Sequence, residues 1–260
     1  MRRITIIATA LIVLGVAATA YAATQPYTGT VAFSNKKAGT AKKPNPVKYT
    51  LDLKAGPTTG GNRPPIQLDI KLRIYGLKVD GTHFPTCALS KIAAAHNDTV
   101  CPSKAKVASG YITSLLGSAT DLTAAGAECD PALDVWNSGQ GKLTFFFVTN
   151  AQHSCLGGAL KTGATPPYPG TYKMQGKYFV SDVPVPKYID FPVPGLVGSL
   201  KTEHLVFTTQ AMGSGKNKHI SQASVGCLNG KRPYQIITTQ TNSPSGTPTS
   251  SSTISSKAPC

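Results

Sequence analysis

Six cysteines, Cys87, Cys101, Cys129, Cys155, Cys227 and Cys260, limit this chain more than any other feature, because an N-terminal export pattern precedes them. Arg2 and Arg3 are followed by an uncharged, apolar or small-residue run from Ile4 to Ala18, and then by the small-x-small triplet Ala20-Tyr21-Ala22. A basic start, a short apolar run and a small-residue exit are the three parts of a secretory signal peptide, so residues 1–22 are read as one, cleaved after Ala22. The run stops at Thr19, short of the ~20 apolar residues a spanning helix needs, and no later segment is long enough either; no membrane span is expected. In an oxidising compartment an even cysteine count reads as disulfides. Fifteen pairings of six cysteines exist. The sequential set, Cys87–Cys101, Cys129–Cys155 and Cys227–Cys260, is favoured because each bond closes a short local loop, worth about 3 kcal/mol in the chain-entropy description.

Residue alternation then sets the fold class. Val47, Tyr49, Leu51 and Leu53 are apolar with Lys48, Thr50, Asp52 and Lys54 between them. Ile66, Leu68, Ile70, Leu72 and Ile74 repeat the pattern, with Gln67, Asp69, Lys71 and Arg73 on the opposite, wet face. Period two marks strands with one buried face. Further strands are expected over 28–34, 106–115, 143–149, 172–180, 203–210, 219–227 and 233–240. Leu143 to Val148 is nearly all apolar, as for a strand covered on both faces. With 25 Gly and 20 Pro, long helices have few places to form. One short helix, Thr86 to about His96, fits inside the Cys87–Cys101 loop. Residues 23–260 thus read as a single all-β domain, an antiparallel, jelly-roll-like β-sandwich with one short helix and disulfide-stapled loops. The Ser/Thr-rich stretch Asn242 to Ser256 becomes a C-terminal hairpin tip and return strand if Cys227 pairs with Cys260.

The strings Phe84-Pro85-Thr86-Cys87 and Cys101-Pro102-Ser103-Lys104-Ala105-Lys106-Val107, with the Cys227-to-Cys260 ending, carry a resemblance. They resemble a group of uncharacterised secreted, β-rich, disulfide-containing proteins of actinobacteria, with Ala108 where that block usually has Gly. The resemblance implies export, β structure and paired cysteines, and no activity.

Charge points to partners. The chain has 26 basic and 11 acidic residues; removing Arg2 and Arg3 leaves 24 against 11, a net +13. Only Arg63, Arg73 and Arg232 of these are arginine. Arginine is the residue for bidentate phosphate and base recognition, whereas lysine is a hydrated point charge, so no specific nucleic-acid surface is expected. The densest group, Lys36, Lys37, Lys42 and Lys43, suits attraction to anionic cell-envelope polymers. Another secreted protein is the other partner class.

Motifs for chemistry are weak. Gln152-His153-Ser154-Cys155 is the most enzyme-like string, and a cell-wall or peptide-modifying thiol enzyme using Cys155 and His153 is the alternative reading. His83, His96 and His153 lie near cysteines without zinc-ligand spacing. Glu128, Asp130 and Asp134 form the one tight acidic group, a weak Ca²⁺ candidate far short of a full oxygen shell, so no metal or other cofactor is expected. Gly213-Ser214-Gly215-Lys216 reads as a hairpin turn with a basic tip. Trp136, the sole Trp, reads as a core or rim residue beside the Cys129 loop. The expected function is a secreted, basic, non-enzymatic domain acting at or near the cell envelope, with cell-wall association.

Overall fold

The computed structural model describes residues 27–57, 61–121, 123–190, 193–243 and 246–260. The proposed signal peptide, 1–22, lies outside them. The chain begins with β1 (Tyr27–Phe33), β2 (Asn45–Pro46), β3 (Tyr49–Ala55), β4 (Ile66–Tyr75) and β5 (Leu77–Val79), then helix α1 (Leu89–Ala95). It continues through β6 (Lys106–Ser118), β7 (Ala127–Cys129), β8 (Ala132–Asn137), β9 (Lys142–Val148), β10 (Tyr168–Gln175) and β11 (Tyr178–Pro184). After the single turn α2 (Lys187–Asp190) come β12 (Leu196–Phe207), β13 (Ala211–Met212), β14 (His219–Ile220), β15 (Gln222–Ser224), β16 (Lys231–Thr241) and β17 (Ser250–Pro259).

Twelve strands form one large, nearly closed sheet in the order β1-β3-β12-β6-β8-β9-β10-β11-β4-β16-β17, with β7 added beside β6. Every pairing is antiparallel. The two ends, β1 and β17, approach within 8 Å between Cα atoms. β4 and β12, distant along the ladder, also approach within 8 Å across the interior. β2, β15 and β5 form a small second sheet, and β13 and β14 a hairpin on the Gly213–Lys216 turn.

Alternation drives the closure. Tyr49, Leu51, Leu53 and Ala55 of β3, Leu72 and Ile74 of β4, and Tyr234 and Ile236 of β16 all enter one interior cluster. Each fully buried Leu, Ile or Phe contributes about 1.5–3 kcal/mol over exposure. β9 is buried on both faces, as expected: Leu143 and Phe145 face this interior, while Phe146 packs outward with Trp136, Ile92, Ala105 and Cys87. That outer layer consists of α1 and the Cys87–Cys101 loop. The helix stops at His96, which takes a left-handed φ of 49°. Trp136 therefore sits under the Cys87–Cys101 loop, and the expectation beside the Cys129 loop is corrected.

Several boundaries differ from expectation. The 172–180 stretch is not one strand: residues 176–177 turn it into the β10–β11 hairpin, with Gly176 at φ 59°. The 203–210 segment ends at Phe207 and begins earlier, at Leu196. The 219–227 segment breaks into two short strands. Gln67, placed on the wet face, is buried, because the β4–β16 register slips there. Thr239 stands opposite Asp69 and Gln240 opposite Gln67, so Leu68 is an extra residue and the face reverses.

All six cysteines form the sequential disulfides Cys87–Cys101, Cys129–Cys155 and Cys227–Cys260. The last ties β17, which pairs with β16 from Lys231–Pro259 to Gln240–Ser250, to the segment before β16. β17 buries little besides Ser252 and Ala258, so backbone pairing and the disulfide hold it. Replacing Cys227 and Cys260 together by serine is expected to cost about 3–4 kcal/mol of unfolding free energy. It should also speed hydrogen exchange in 250–259 more than in β4. Denaturant unfolding and exchange of the variant check this; unchanged stability contradicts it.

Candidate functional sites

Cys155 is bonded to Cys129 and only 2% exposed, and no cysteine is free, so it presents no thiolate. His153 instead stacks on Tyr111, ring centroids 5.4 Å apart, and Tyr111 lies 5.4 Å from His204, which is 2.6 Å from Asp52 Oδ1. The acidic trio is dispersed. Glu128 points to solvent 3.8 Å from Lys201, Asp130 accepts the Ser114 N–H, and Asp134 is 2.5 Å from Lys106 Nζ. Among the described residues no three His, Cys, Asp or Glu side chains converge as metal ligands. His83 stacks on His219 at 3.5 Å, away from Cys87 in role. In the segment Asn97-Asp98-Thr99, which has the N-x-Thr spacing of a glycosylation acceptor, Asn97 is exposed and Asp98 buried. Asp98 accepts the Trp136 indole N–H at 3.2 Å and stands beside Asp134; burial first, then that second carboxyl, pushes it up to about 6.

The interior holds a site that the motif search missed. A cavity of about 100 Å³ is walled by Ile70, Leu116, Leu133, Phe147 and Leu200. Among its polar lining residues, Gln67 of β4, Asp190 at the end of α2 and Glu203 of β12 are the buried amide and carboxyls; Ser114, Ser199, Thr149 and Thr165 add hydroxyls. Gln67 is 4% exposed, and neither its amide nitrogen nor its oxygen has a partner. Asp190 and Glu203 are each 6% exposed. Among the described residues neither carboxyl makes a hydrogen bond or ion pair. Burial alone pushes Asp190 up to about 8 and Glu203 up to about 7. Burial and these two carboxyls also raise the Tyr168 phenol. A second cavity of about 40 Å³ shares Ile70, Tyr168, Val185 and Glu203 with the first. A third, about 30 Å³, shares Tyr49, Leu143, Phe179 and Phe207 with the second, so the voids run along the sheet interior. Sequence did carry a signal for Glu203: counting back by twos from Leu205 and Phe207 puts it on the buried face.

At one end of the sheet the lysines gather. The 34–48 loop carries exposed Lys36, Lys37, Lys42, Lys43 and Lys48. Arg232 straps it down, donating to Asn35 O and Lys37 O, and Asn45 Nδ2 adds bonds to Asn35 Oδ1 and Lys37 O. Beside it, Pro46 pairs with Ala223, and Ala223 with Lys78, through the small sheet. Exposed Lys231 and Lys257 flank Arg232 and its partner on β16–β17. Among the described residues none of these lysines makes an ion pair within 4.0 Å; the ion-paired lysines are Lys71, Lys106 and Lys201.

The buried carboxyls set a pH dependence. Their folded values lie above the unfolded range of about 4, so the folded chain holds protons that the unfolded chain releases. The stability they give is complete below about pH 4 and is lost as pH rises through about 7 and 8. Asp98 acts in the same direction, so the test is a comparison. Glu203→Gln should melt with a shallower decline between pH 5 and 8 than the parent chain, and higher at pH 8. Parallel melting curves across that range contradict the assignment.

No family model matches the chain, and neither the curated proteins nor the solved structures contain a match to it.

Proposed function

We propose that this chain is an exported, non-enzymatic binding protein that docks on anionic polymers of the cell envelope through the lysine-bearing end of its sheet. The Arg2-Arg3 start, the Ile4–Ala18 run and the Ala20-Tyr21-Ala22 exit support export, as do three disulfides and the likeness to secreted actinobacterial proteins. The close approach of β4 to β12 favours a flattened, sandwich-like and jelly-roll-like form for the closed sheet. The observation that carries the reading is the strapped 34–48 loop, whose lysines are exposed together and unpaired.

Lysine suits this task. Its compact charge and flexible stem meet a repeating polyanion without demanding a fixed fork geometry. Holding the loop backbone against Arg232 lowers the ordering cost of binding, while each side chain keeps its freedom in water. Binding of this kind is long-ranged and screened by salt. Lys78, Lys231 and Lys257 extend the same field across neighbouring strands.

Purified cell wall tests this directly. The protein should sediment with it at about 0.01 M ionic strength, where the screening length is about 30 Å, and release at about 1 M, where it is about 3 Å. Replacing Lys36, Lys37, Lys42 and Lys43 by glutamine should lower retention at low salt at least about tenfold, the effect of ~1.4 kcal/mol. Salt-independent retention, or full retention by the variant, contradicts the reading and points to a protein partner or another surface.

A further inference from the structure

We infer that the interior cavity is a binding site for a small amphiphilic amine, its ammonium group held by Asp190, Glu203 and Gln67 and its apolar body lying along the sheet interior.

Buried polar groups without partners are costly to the fold. Gln67 is 4% exposed with both amide atoms unpartnered, and it lines the cavity. A buried amide without hydrogen bonds is penalised, and native interiors rarely leave one so. Asp190 and Glu203 repeat the situation with groups that are costlier still to bury. No protein cation answers them among the described residues, although the chain has more than twice as many basic as acidic residues. A few buried polar groups lining one cavity whose wall is mostly apolar is the general form of a small-molecule site.

Charge selects the ligand class. An ammonium offers three N–H donors and no acceptor, matching two carboxyls and an amide oxygen. Ionic hydrogen bonds of this type strengthen in a low-dielectric surround. An anionic head in the same place would face two acids.

Shape selects the body. This void, about 100 Å³, exceeds by several times the space one water occupies, and its lining is mostly aliphatic and aromatic. Glu203 and Tyr168 also line the adjoining void, so an alkyl chain can pass them toward Phe179 and Phe207. Half-buried Leu160 and Thr165 and exposed Lys161 complete the lining on the solvent side and supply the entry. The charged and titratable groups facing the void are therefore Asp190, Glu203, Tyr168 and Lys161. Lys161 is the one cation among them, and it defines the competing possibility: an alkyl carboxylate held at the rim.

The test uses the disulfide-intact secreted chain, with octylammonium, octanol and octanoate compared by titration calorimetry at pH 7. Octylammonium should bind one to one, at least about tenfold more tightly than octanol, with affinity rising about threefold to fourfold per methylene from butyl to octyl amine. Octanoate should not saturate. Glu203→Gln should weaken octylammonium about tenfold and octanol far less; among the described residues it removes no hydrogen bond or ion pair, so it should fold. If that variant fails to fold, the carboxyl carbon resonance of Glu203 in the parent chain decides, moving to its ionised position on adding octylammonium at pH 6. Octanoate binding as tightly as octylammonium, binding of none of the probes, or a Glu203 resonance indifferent to the amine overturns the inference. Failure of cell-wall binding would leave this site untouched, since the two use opposite charges and different surfaces.

Discussion

Arg232 holds the two ends of the sheet together. Its guanidinium donates to Asn35 O and Lys37 O just beyond β1, to Pro259 O at the end of β17, and to Ser224 Oγ on the small sheet. It also lies 4.6 Å from the centre of the Phe33 ring on β1. β1 and β17 are not neighbours in the hydrogen-bonded ladder, so this side chain supplies what the ladder lacks. The residue is wholly buried, and burial lowers its pKa, yet an arginine stays charged. Among the described residues no carboxylate meets it; carbonyl dipoles, the Ser224 hydroxyl and a ring face do. Bonds to a charged donor contribute about 1.5–3 kcal/mol each, and losing the donor would leave several carbonyls unsatisfied at once.

The same clasp shapes the lysine-bearing end of the sheet. It fixes the backbone of the 34–48 loop, and so presents a group of lysines at one end. Arg63 plays a parallel part elsewhere: it is 1% exposed and donates to Val197 O, Ser118 O and Asp121 O, pinning the start of β12 near the cavity. Two of the three arginines past residue 22 are thus used on carbonyls inside the protein. This accounts physically for a basic surface made of lysine.

Legibility in the sequence followed the strength of local pattern. β3 and β4 were plain because four or five apolar residues recur at period two, and the disulfides because short loops and an oxidising context narrow fifteen pairings. β8 and the β10–β11 turn were not. Asp134 and Asn137 interrupt β8, and residues 176–177 turn the chain within a stretch whose alternation continues across it. β17, in which six of ten residues are Ser or Thr, was legible as a return strand only through the Cys227–Cys260 pairing. Of the cavity residues, Gln67 on β4 is far in sequence from Asp190 on α2 and Glu203 on β12. Glu203 alone kept a readable phase, while the register slip at Leu68 concealed Gln67. The role of Arg232 left no trace in the sequence, because most of its partners are main-chain carbonyls, which no motif records.

Hydrogen–deuterium exchange on Arg232→Met measures the closure itself. The account predicts that amides of β1, the 34–48 loop and β17 lose protection together, while β6, β8 and β12 keep theirs. Loss confined to the 34–48 loop, with β1 and β17 still protected, would contradict it.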